Sequence, residues 1–245
     1  QTGALTPGAA VDLAGRTVTI NSGQVNDSTN ALIANSLTLD INSGTSANTV
    51  KTTVSTLAVN TTDSTDATGR SITVTETDGV ALGVVNVSTG TFNLTAPGAI
   101  TQTGVMTADK LVLTNTGGTT TLGQNNVIAN LGAIDATGGA FSLTNTAALT
   151  LTDTINAGTN TVTINNGANA VTFALGGNKD ITASSFTVTA QDVDALDTIG
   201  SLGTTNVVLR PDGTADTMDL AVTDGTEFTL TTNDIAELKS GTGTV

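Results

Sequence analysis

Cysteine, histidine, tryptophan and tyrosine are absent from all 245 residues, and aromatics amount to 2%, the five phenylalanines. The missing cysteine excludes a disulfide framework, a thiol nucleophile and a thiolate metal site together. Without histidine the usual general base near neutral pH is gone, and without Trp or Tyr a sugar ring has no stacking platform. Positive charge is also scarce: seven scattered basic residues (Arg16, Lys51, Arg70, Lys110, Lys179, Arg210, Lys239) stand against 21 acidic ones, for a net charge of −14. That balance argues against nucleic acid or an anionic membrane surface as partner and favours a soluble, mutually repelling surface. No apolar run approaches the length of a membrane span, so insertion into a membrane is not expected. The first residues, QTGALTPGAA, carry neither a basic stretch nor an apolar signal core.

Thr, Asn, Ala, Val and Leu dominate what is present, with 27 Gly and only 3 Pro. Thr and Val favour strands, Asn and Gly favour turns, and the strong helix formers Glu, Lys, Gln and Arg are few. At 38% hydrophobic residues and a mean hydropathy of +0.16, the chain is too apolar to stay disordered. An all-β fold is expected.

Apolar residues recur in pairs two apart, as one face of a strand requires. The pairs are Val18 and Ile20, Leu37 and Leu39, Leu57 and Val59, Ile72 and Val74, Phe92 and Leu94, Leu111 and Leu113. The series continues with Phe141 and Leu143, Val162 and Ile164, Phe186 and Val188, Val207 and Leu209, Phe228 and Leu230. Successive steps are 19, 20, 15, 20, 19, 30, 21, 24, 21 and 21 residues, a mean of 21. A duplication spans two such steps: FTVTAQDVDALDTI from Phe186 returns 42 residues later as FTLTTNDIAELKSG from Phe228. Thr, Asn and Ser fill the alternate positions, and turn clusters such as Thr116-Gly117-Gly118, Thr137-Gly138-Gly139 and Asn165-Asn166-Gly167 fall between. A hairpin meander would also alternate, but it has no reason to keep a period near 20. A parallel β-solenoid accounts for period, alternation and duplication together.

About twelve coils of roughly 20 residues are expected, stacked at ~4.8 Å into a rod on the order of 55 Å long. Inward Val, Leu, Ile and Phe fill the core, Thr faces solvent, and Asn at equivalent turns stacks into amide ladders. Because no coil buries its own face, stability comes from stacking.

The stretch Ile100 to Thr152, ITQTGVMTADKLVLTNTGGTTTLGQNNVIANLGAIDATGGAFSLTNTAALTLT, resembles the repeat region of filamentous-haemagglutinin-type exoproteins of Gram-negative bacteria. There an ITQ-x-G opening leads through LT-x-x-GG and NNV to a GG-x-FSLTN close. The FTLTTNDIAELKSG stretch is similar to a second element of such proteins. The resemblance covers about the C-terminal two-thirds of the chain. It implies a right-handed parallel β-helix, a secreted or cell-surface location, two-partner secretion and adhesive or filament-forming work, although the family's N-terminal secretion domain is not recognisable. Gln1 to Thr6 (QTGALT) matches Gln102 to Thr107 (QTGVMT), and the chain stops at GTGTV, so a single solenoid over 1–245, incomplete or uncapped at both ends, is expected. Its partners would be further coils or further copies, end to end.

Acidic groups cluster at Asp192, Asp194 and Asp197, at Asp212, Asp216 and Asp219, and at Asp63 and Asp66. Paired carboxylates can do acid and base work on sugars, or bind Ca2+ through oxygen. Asp192, Asp194, Asp212 and Asp216 are weak Ca2+ candidates, and no other cofactor is expected. The nearest approach to a tandem calcium turn, Gly176-Gly177-Asn178-Lys179-Asp180, lacks the third Gly and is not repeated. Asp212-Gly213 reads equally as an ordinary turn. With the residue types of hydrolytic catalysis so depleted, an enzyme is not expected. The leading reading is a structural shaft of a secreted adhesin acting in adhesion or biofilm matrix, ahead of a self-assembling extracellular filament and, last, a polysaccharide-acting β-helix enzyme.

Overall fold

The structure is a computed structural model of the 245-residue chain. It describes residues 4–6, 8–42, 46–64, 66–176, 179–196, 199, 201–204, 206–213, 218–220, 228–230 and 232. All described strand pairings are parallel, and together they form a β-solenoid of about nine turns. Among the described residues, α-helix amounts to a single turn, Ala67–Arg70, and the isolated Thr232.

Three columns of stacked strands make up the wall. The first, face A, runs Val18, Leu37, Leu57, Leu82 in register. Two residues before Leu82 it continues as Val80, Ile100, Thr120, Phe141, Val162, Phe186 and Val207. Face B stacks Asn48, Ile72, Phe92, Leu111, Leu131, Leu151 and Phe173. Face C stacks Val50, Val74, Leu94, Leu113, Ile134, Ile155, Ile181 and Leu202. In the later coils each face has its own short strand, for example Phe141–Asn145, Leu149–Leu151 and Ile155–Asn156 in one turn.

Alternation does what the pairs predicted. Sixteen of the paired residues, from Leu37 and Leu39 to Phe186 and Val188, are buried in one continuous core, while Thr163 beside Val162 is exposed. Phe173 and Phe186 meet edge to face, ring centroids 6.1 Å apart, where face B of one coil approaches face A of the next. Val18, Ile20, Val207 and Leu209 are only partly buried, because they lie towards the two ends of the stack.

The structure corrects the expected coil count, about nine instead of about twelve, and the rod shortens accordingly to ~43 Å at ~4.8 Å per rung. Dividing the chain by 20 overlooks what the corners consume. The step from Leu57 to Leu82 takes 25 residues, since the long corner between Asn60 and Ile72 includes the helical turn Ala67–Arg70. Phe228–Leu230, which the duplication placed on face A, pairs instead with Met218–Leu220, ten residues earlier, in a separate two-stranded sheet.

Register also explains the two irregular steps of the sequence series. Leu57 lies on face A and Ile72 on face B, so the step of 15 is a move around one coil. The step of 30 from Leu111 to Phe141 returns from face B to face A.

Candidate functional site

The corners of the coils hold the polar groups that the core could not otherwise tolerate. Asn126, Asn145 and Asn166 are buried at 0%, 1% and 0% exposure, one above another where face A ends. Asn145 Nδ2 donates to Asn166 Oδ1 at 2.9 Å and to the carbonyls of Ala147 and Ile128, while its Oδ1 accepts the Ile128 N–H at 2.8 Å. Asn126 Oδ1 accepts the Met106 N–H at 2.8 Å and Gln102 Nε2 at 2.6 Å. A bend turns backbone groups away from the ladder, and a buried N–H left unpaired costs about 1–3 kcal/mol. The stacked amides satisfy those groups. Asn48 does the same lower in the stack, accepting the Val25 N–H at 3.0 Å. These ladders are the expected ones, but they face inward and not along the surface.

Glu76 is the most buried charged residue among those described, at 2% exposure. Its Oε2 accepts the Thr52 hydroxyl at 2.8 Å, and its Oε1 accepts the N–H groups of Val54 and Thr77 at 3.1 and 3.0 Å. Thr52 and Val54 belong to the coil below, so the carboxyl ties two coils together. Burial raises its pKa from 4.5 to about 7 against the opposing pull of those hydrogen bonds, and Asp78 adds to the rise. Asp27 behaves in the opposite way: the Asn30 and Thr29 N–H groups hold its carboxyl below the ordinary value. Neither residue had been singled out from the sequence; only their place on alternating strands hints that Glu76 points inward.

Among the described residues, the acidic clusters are not brought into one site. Asp192 Oδ1 accepts the N–H of Val193 at 2.9 Å, a turn role, and Asp194 is exposed opposite Thr172 on the face B ladder. Asp212 stands exposed in the turn after Val207–Pro211, and Asp216 and Asp197 lie outside the described residues. Asp63 and Asp66 are exposed in the corner between Asn60 and Ile72. Among the described residues no three His, Cys, Asp or Glu side chains come together as metal ligands do. At the calcium-like turn, Lys179 Nζ donates to the Thr152 carbonyl at 2.8 Å and pairs with Asp153 at 3.4 Å, tying the turn to the coil beneath, while Gly177 and Asn178 are outside the described residues. On the outer wall Asp40 accepts amide groups from Asn21 and Asn60 at 3.1 and 2.9 Å, an outer rung-to-rung ladder.

One concavity is apolar. Val11, Leu13, Val18, Ile20, Leu32, Ile33, Ala34 and Leu37 line an open groove of about 170 Å³ at the N-terminal end of the stack. No helix among the described residues is long and apolar enough to cross a membrane. In the comparisons with known proteins, no family model, curated protein or solved structure matches this chain.

Proposed function

We propose that the chain is a structural shaft segment of a secreted or surface-exposed bacterial adhesin, serving adhesion or the biofilm matrix. The supporting observation is the continuous column on face A, from Val18 to Val207, apolar inside except at the buried Thr120 and mostly Thr, Ser and Ala outside. Such a wall is rigid along its axis and repeats its surface every ~4.8 Å, which suits extension over distance. The stretch from Ile100 to Thr152, which resembles filamentous-haemagglutinin-type repeats, occupies the middle of that column without a break. The whole chain's charge of −14 keeps neighbouring rods apart sideways. Catalysis has no part in this reading, and neither does a required metal. Further coils or further copies stacked end to end are the partners, a reading that the apolar groove at the N-terminal end favours.

Immunogold labelling of intact producing cells tests the location and the role together with deletion of this segment. Label outside the envelope, and weaker surface attachment or biofilm after deletion, are the expected results. Label confined to the cell interior, or attachment unchanged by deletion, would overturn the proposal.

A further inference from the structure

We propose that Asn166 is a modification site that the fold keeps shut: in a chain opened at this coil the Gly167 nitrogen attacks the Asn166 side chain and converts it to aspartate or isoaspartate, after which the coil cannot close again.

Two separate demands of the corner bring this pair together. The inner ladder needs an amide at 166, where the side chain is 0% exposed. There Nδ2 donates to the carbonyls of Asn169 and Ala170 at 3.2 and 2.8 Å, and Oδ1 accepts Asn145 Nδ2 at 2.9 Å. The turn that follows needs a positive φ, and Gly167 supplies it at 51°. Space is not the reason, since a Cβ at 167 would meet nothing within 4 Å. The result is the one Asn-Gly step in 245 residues. The other inner asparagines, Asn48, Asn126 and Asn145, precede Thr49, Val127 and Thr146, whose branched side chains shield the backbone nitrogen.

An Asn-Gly step deamidates readily because no side chain hinders the following nitrogen. That nitrogen gives up its proton to hydroxide and bonds to Asn166 Cγ, the Cγ–Nδ2 bond breaks, and ammonia leaves. Water then opens the five-membered imide at either carbonyl. One opening gives aspartate, and the other gives isoaspartate, with the main chain rerouted through the side chain.

Within the stack neither partner is free to react. The Gly167 N–H donates to Asn165 Oδ1 at 3.2 Å, and the Asn166 N–H donates to the Thr189 carbonyl of the next coil at 2.8 Å. Ring closure turns the side chain back over its own backbone, which breaks all three of its hydrogen bonds in a dry core. The product does not fit the place it came from. Aspartate sets an oxygen against the two carbonyl oxygens that Nδ2 had faced and puts a charge where the side chain is fully buried. Isoaspartate lengthens the backbone of a coil whose strand Thr161–Asn165 is held in register on both sides.

The full chain is aged at mildly alkaline pH in native buffer and in guanidinium chloride, and peptide mapping by mass spectrometry reads the exchange of NH2 for OH at each asparagine. Asn166 should deamidate at least about a hundredfold more slowly in native buffer than in denaturant. In denaturant it should outpace Asn48, Asn126 and Asn145. After dilution, chains deamidated at 166 should be missing from the refolded fraction, while Gly167→Ala, aged in the same way, should refold to the yield of its own unaged sample. Asn166→Asp, made directly, should melt at a lower temperature than the parent, and Asn165→Asp, at the exposed neighbouring position, at the parent's. Equal rates at Asn166 in the two buffers would overturn the proposal, as would a rate in denaturant no faster than at Asn145. So would deamidated chains, or an Asn166→Asp chain, with the parent's melting curve.

Discussion

Inward and outward positions in this wall differ by one residue, and the energetics should differ as sharply. Val162 is fully buried between Phe141 and Phe186 on face A, so Val162→Asp places a carboxylate in a dry core and should abolish a cooperative melt. Thr163→Lys, on the exposed side, should shift stability by less than about 0.5 kcal/mol. Thermal denaturation of both variants checks the pair, and an unchanged melt for Val162→Asp would contradict the inward assignment. Glu76 gives the chain a pH dependence of unusual sign. Its folded-state pKa, about 7, lies above the unfolded value of 4.5, so folding favours the protonated carboxyl. The stabilisation it contributes is complete below pH 4.5 and is lost as pH rises through 7. Lys51, on the strand beneath, alternates to the outer side and does not neutralise it, and Asp78 adds like charge. Melts should show the parent chain losing on the order of 2 kcal/mol between mildly acidic and mildly alkaline pH. Glu76→Gln keeps the shape and the hydrogen-bonding capacity and should remove that loss. A variant with the same pH profile as the parent would show that Glu76 is not its source.

Strands and corners were not equally legible. The strands were, because alternation with a period of two is a local property and the inward pairs from Leu37 to Val188 carry it without interruption. Which face a pair belongs to is not local: Leu57 and Ile72 look alike in sequence, yet the bend between them puts one on face A and the other on face B. The corner asparagines were legible as turn formers stacked into ladders, but the side they face was not, since an Asn that stacks inward and one that faces water have the same neighbours in sequence. The acidic clusters are adjacent in sequence only: Asp192 accepts the Val193 N–H in its own turn, while Asp194 is exposed on the face B ladder. Glycine at the corners is set by close stacking. A Cβ on Gly138 would collide with the backbone of Thr116 and Gly117 in the coil below, whereas one on Gly123 meets nothing nearer than the Thr121 methyl at 3.9 Å. Gly138→Ala should therefore cost more than about 2 kcal/mol, and Gly123→Ala little, as chemical denaturation will measure.

A stack of coils makes the molecule quasi-one-dimensional, with each coil held only by its neighbours and both ends different from the middle. Its Glu76 carboxyl and inner Asn columns tie coil to coil, whereas Asp27 fixes a local turn through the Thr29 and Asn30 N–H groups. The central claim is that residues about 21 apart lie one rung apart, and distances between spin labels on paired cysteines measure it directly. Thr17, Thr56, Thr121 and Thr187 project from face A at rungs fixed by register, Thr187 lying three rungs from Thr121, six from Thr56 and eight from Thr17. At ~4.8 Å per rung the account predicts backbone separations of about 14, 29 and 38 Å, rising linearly with rung number. Separations that fail to rise in that proportion, as strands folded back in hairpins would give, would contradict it.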